Sequence, residues 1–109
     1  MPKFLTIGYG DREGYDQTPQ AMRDAAHQND AELVAAGAEM GAFGEPVRVT
    51  NTHQAGIVTE SGPYMQSTLP VAGYALIEAD SIEEAVRMVA GSPCAVASGV
   101  VEVWPIENP

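Results

Sequence analysis

Ala72-Gly73-Tyr74-Ala75-Leu76-Ile77-Glu78-Ala79-Asp80-Ser81-Ile82-Glu83-Glu84-Ala85-Val86 changes period within two residues. From Ala72 to Ala79 the side chains alternate, with Tyr74, Leu76 and Glu78 on one side and Gly73, Ala75 and Ile77 on the other, which is the period of a strand. Ser81-Ile82-Glu83-Glu84 then reads as a capping box: Ser81 accepts from a free backbone N–H and Glu84 reaches back. Ile82, Ala85, Val86 and Val89 form the buried stripe of the helix that follows, and Gly91 and Pro93 stop it.

Working outward, Val100 to Ile106 is a closing strand whose Pro105 suits a sheet edge or strand end. Towards the N-terminus, Lys3 to Tyr9 alternates as a first strand, and Gly10-Asp11-Arg12-Glu13-Gly14 reads as a polar loop. Thr18-Pro19 opens a helix with Thr as N-cap and Pro at the first helical position. Met22, Ala26, Asn29 and Leu33 give this helix a thin, alanine-rich stripe suited to close packing on a sheet, and Gly37 ends it. Ala38 to Phe43, Pro46 to Thr50 and Ile57 to Thr59 are short extended segments, and Glu60 to Pro70 reads as a loop.

Strand, helix, strands, then strand, helix, strand is the order of an α+β domain. It predicts a ferredoxin-like α+β sandwich: an antiparallel sheet with two helices on one face. Residues 1–109 form one domain. The face without helices would carry Phe4, Tyr74, Leu76, Trp104 and Ile106 in one register, an apolar surface that calls for a partner. Two such faces meeting would make a dimeric α/β barrel, so the expected partner is a second copy of the chain.

Composition narrows the function. With 45% hydrophobic and 18% charged residues the chain is ordinary globular protein. A formal charge of −10, from 5 basic against 15 acidic residues, repels phosphate backbones and anionic lipid, and no basic run offsets it. No nucleic-acid or membrane partner is therefore expected. No apolar run reaches the ~18 residues of a membrane span, and Met1 to Gly8 lacks the apolar core of a secretory signal. One cysteine, Cys94, fits a reducing compartment, and the expected location is cytoplasmic.

The stretch Ser61-Gly62-Pro63-Tyr64 followed by Gly73-Tyr74-Ala75-Leu76-Ile77-Glu78 resembles the signature of the YCII-related family in its Asp-Gly-Pro-Phe (DGPF) branch. The likeness extends to Tyr9-Gly10-Asp11, to the first-helix His27 before Ala36-Gly37, and to the Val-Glu-Val-Trp-Pro-Ile close. It implies a dimeric α+β barrel with a cleft near the first-helix histidine and the Asp-Gly-Pro-Phe loop. It also implies a His–Asp pairing on which an enzymatic role is suspected. Here the signature Asp is replaced by Ser61, which brings no charge, so Asp11 or Asp30 would have to partner His27.

His27 is thus the candidate catalytic residue, and Asp11, Ser61 and Tyr64 are candidate ligand-binding residues. Gly62 and Pro63 make their loop either a rigid lip to a ligand or a plain turn. His53 has no ligand-spaced neighbour, so no metal site is expected. Gly8, Gly10 and Gly14 lack dinucleotide-loop spacing, and no cofactor is expected. Cys94 has no adjacent base in sequence and reads as packing. The expected function is a YCII-related homodimer of unassigned activity, binding a small molecule near His27 without established catalysis. The alternative is a small-molecule enzyme with His27 as general acid or base.

Overall fold

A computed structural model describes residues 1–107. In chain order the elements are β1 (Lys3–Tyr9), α1 (Arg12–Gln17), α2 (Gln20–Ala35), β2 (Glu39–Ala42), β3 (Val47–Thr50), a 3-10 turn (Thr52–Gln54), β4 (Val58–Ser61), β5 (Val71–Glu78), α3 (Ile82–Val89), α4 (Pro93–Val96) and β6 (Val100–Ile106). The main sheet has the order β2-β5-β1-β6, and β3 and β4 pair separately. Every pairing is antiparallel. The architecture is therefore α+β with an open antiparallel sheet and not a closed barrel.

Register decides what each face buries. Phe4 lies opposite Ile77 and Thr6 opposite Ala75, and the same row continues to Val103 on β6. These side chains point at the helices, where Phe4, Ala75 and Ile77 join Leu33 of α2 and Ala85 and Val89 of α3 in the core. Ile77 is 1% exposed, and burying a side chain of that kind is worth about 1.5–3 kcal/mol. The other parity, Leu5, Ile7, Tyr74, Leu76 and Trp104, forms the opposite face. Phe4 is thus not on that face as the sequence register had it: β1 contributes Leu5 and Ile7 instead, because Phe4 pairs with the fully buried Ile77.

The helix termini depart from the sequence reading in three places. The segment after β1 is the short helix α1, because the Asp11 carboxylate accepts from the Gly14 N–H at 2.8 Å and caps it. Thr18 does not cap α2. It is buried, closes α1, and donates its hydroxyl to the Gly14 carbonyl at 2.8 Å, leaving Pro19 as the uncapped entry to α2. Pro93 does more than stop α3: it occupies the first turn of α4, where its missing N–H costs nothing.

The remaining caps follow the sequence. Ser81 accepts from the Glu84 N–H at 3.2 Å. Gly37, at φ +108, lets its own N–H reach the Val34 carbonyl and the Ala38 N–H reach the Leu33 carbonyl, a Schellman stop for α2.

α2 does not lie close on the sheet. Only Ala26 and Leu33 are buried along it, and its main packing neighbour is α4. Asn29 ties it to the end of α3 by donating to the Met88 carbonyl at 3.2 Å. The β3–β4 hairpin stands away from the rest as an arm, held internally by Arg48 and Glu60 at 2.7 Å. It stretches the molecule to 52 × 36 × 20 Å with a radius of gyration of 15.9 Å, against about 13 Å for a rounded domain of this length. No helix among the described residues is long and apolar enough to cross a membrane.

Candidate functional site

The stand-off of α2 leaves a cavity, and the sheet sequence says why. Phe4 and Ile77 fill one end of the helix-facing surface, but further along the same strands the residues shrink to Thr6, Gly8, Gly73 and Ala75. Helices resting on large side chains at one end cannot touch small ones at the other, so a wedge of about 340 Å³ opens there. Its roof is Asp30 and Leu33 of α2, and Ser92, Pro93 and Cys94 close one side. The lining is mostly apolar, and among the described residues Asp30 is its one charged side chain.

Burial pushes the Asp30 carboxyl above the usual carboxylate range, partly opposed by the nearby His27. Burial, with the Asp30 charge added, also raises the Cys94 thiol. A raised thiol stays protonated at neutral pH and is a poor nucleophile. Cys94 instead fits against bare backbone: a Cβ on Gly8 would lie 2.7 Å from its Sγ. Thr6 turns its hydroxyl inward and donates to the Ala75 carbonyl at 2.9 Å.

A second, outer groove of about 720 Å³ shares Ala42, Ala72, Pro93 and Cys94 with the inner cavity and is walled by Asp11, Tyr15 and Phe43. Cys94 therefore sits at the junction of the two spaces. The Tyr15 hydroxyl and His27 Nε2 are 2.7 Å apart, with the rings edge to face. The Arg23 guanidinium lies 5.1 Å from the Tyr15 ring centroid. His27 itself is exposed and lines neither space, so it reaches the groove through the Tyr15 hydroxyl.

The sequence candidates are thus distributed unevenly. Asp11 lines the outer groove, but its carboxylate is engaged in capping α1. Asp30 lies beside His27 and faces the inner cavity. Ser61 and Tyr64 border neither space. Ser61 ends the arm at β4, and Tyr64 is 84% exposed beyond the Gly62 turn, at φ +100. Tyr15 was missed, because a lone tyrosine in an apparent loop gives no signal until α1 swings it against α2. His53 lies at the tip of the arm with φ +54. Among the described residues no three His, Cys, Asp or Glu side chains are grouped to hold a metal ion.

Comparison of the sequence with models of known families and with curated proteins finds no match to either.

Proposed function

We propose that the chain is a homodimeric small-molecule-binding domain that holds its ligand between α2, α4 and the sheet. The observation that carries this reading is the 340 Å³ wedge with one carboxyl in an otherwise mostly apolar lining. Such a lining suits a compact, mainly apolar ligand oriented by a single polar group. Among the described residues the inner cavity has no cationic side chain, so a carboxylate or phosphate ligand would find no counter-charge from them. A neutral or amine head group meets Asp30 instead.

On this reading the chain is a divergent YCII-related protein of the cytoplasm. The strand order β2-β5-β1-β6 supports a ferredoxin-like plait, and the Leu5, Ile7, Leu76 and Trp104 patch on the open face, which also carries Glu39, Glu78 and Glu102, supports pairing of two sheets. The second reading, an enzyme with His27 as general acid or base, draws support from the 2.7 Å Tyr15–His27 contact, which would pass a proton to the groove through a phenol.

The test is amide NMR with three isosteric probe sets: apolar amines, alcohols and carboxylates. Amines or alcohols should shift the Gly73, Ala75 and Cys94 amides, and Ala75→Leu, which fills the wedge, should abolish the shifts. Binding restricted to carboxylates, or binding that survives Ala75→Leu, overturns the assignment.

A further inference from the structure

We infer that the β3–β4 arm clasps a second copy of this chain with its uncharged face. The inference rests on the two-copy reading above and adds to it a specific contact surface.

The arm has two unlike faces. Register places Val47 opposite Ser61 and Val49 opposite Thr59, a face with no charge, while Arg48 opposite Glu60 lies on the other side. Val47 is 61% exposed and Val49 63%. An isolated two-stranded hairpin is marginally stable in water and needs a third layer against one face. Arg48 is half-buried and already paired with Glu60 at 2.7 Å, so its side of the arm is occupied, while the valine side is bare and open to a partner.

The distribution of charge selects a second copy as the occupant. Along this segment Val47, Val49, Ile57, Tyr64 and Met65 are each between 51% and 84% exposed. Of the fifteen acidic residues, positions 44–70 carry only Glu45 and Glu60, and Glu60 is paired with Arg48. The helices and their caps carry most of the rest, including Asp11, Glu13, Asp24, Glu32, Glu83 and Glu84. Two chains of charge −10 repel each other, and least where they meet through a stretch as poor in acids as this one. Meeting through the arm keeps the acidic helices away from the contact, whereas the open sheet face itself carries Glu39, Glu78 and Glu102.

Sedimentation of the full chain from 1 to 100 µM, with hydrogen exchange of the Val49 and Thr59 amides, tests the inference. The expected species is a dimer of the 11.5 kDa chain. Val49→Asp should weaken it by at least about tenfold, the loss expected from one buried valine, and should expose both amides to exchange. Thr50→Asp, on the Arg48 side, should change the dissociation constant less than threefold. Val49→Thr, close in shape and safe for folding, should weaken the dimer several-fold. A dimer indifferent to Val49→Asp and Val49→Thr removes the clasp and leaves sheet-face pairing standing, to be probed by Trp104→Glu. A wild-type monomer throughout the range removes both readings.

Discussion

Cys94 and Gly8 should behave as one packing unit, and a double-mutant cycle measures it. A methyl added at Gly8 would sit 2.7 Å from Cys94 Sγ and 3.1 Å from its Cβ. The sulfur contact cannot be tolerated, so α4 or the Cys94 side chain must shift, and overpacking of this kind costs about 1–3 kcal/mol. Alanine in a strand recovers about 0.5–1 kcal/mol over glycine, so Gly8→Ala should lose about 0–2.5 kcal/mol net. Cys94→Ala removes a half-buried sulfur and should cost about 1 kcal/mol. Together the two changes relieve the 2.7 Å clash and leave only the milder 3.1 Å contact. The double variant should therefore be more stable than the sum of the single losses implies, by about 1 kcal/mol. Urea unfolding of the four proteins, followed by far-UV dichroism at constant m-value, gives the coupling. A coupling within about 0.3 kcal/mol of zero, the range of independent sites, would mean that Cys94 does not rest on Gly8.

Asp30 and Ser81 give two further expectations. Burial raises the Asp30 pKa in the folded chain above its unfolded value, so the folded state holds this proton more tightly. The resulting stability is complete below the unfolded pKa and is lost as pH rises through the folded one. Asp30→Asn should therefore gain stability relative to wild type as pH rises from 3 to 7, and thermal melts showing a pH-independent difference would contradict the burial of this carboxyl. Ser81→Ala removes the acceptor for the Glu84 N–H and should cost about 1 kcal/mol by the same urea assay, while Ser67→Ala, in an exposed loop, should cost under about 0.5 kcal/mol.

The second half of the chain was the more legible. The courses of β5, α3 and β6 follow from alternation, one serine cap and the turn residues, although of the expected α3 stripe only Ala85 and Val89 are buried, while Ile82 and Val86 stay 41% and 49% exposed. The first half misleads where two signals compete for the same residues. Thr18-Pro19 is a good helix start by local chemistry, yet Thr18 is taken by the carbonyl of Gly14, since Asp11 has already nucleated α1. Alternation separated the two sides of β1 but did not say which faces the helices; pairing with the buried Ile77 settles that.

The site was less legible still. The wedge exists because small residues on β1 and β5, distant in sequence, fall side by side, and no single segment announces that. His27 stood out by residue type, whereas Tyr15, which connects it to the groove, became visible only once two helices were placed together.

The outer strands of the main sheet limit how copies of this molecule can add to one another. β2 is four residues long, and β6 carries Pro105 one residue before its end, which has no backbone donor to offer a newcomer. Lateral growth, strand upon strand, into open-ended fibres is thereby discouraged at both borders.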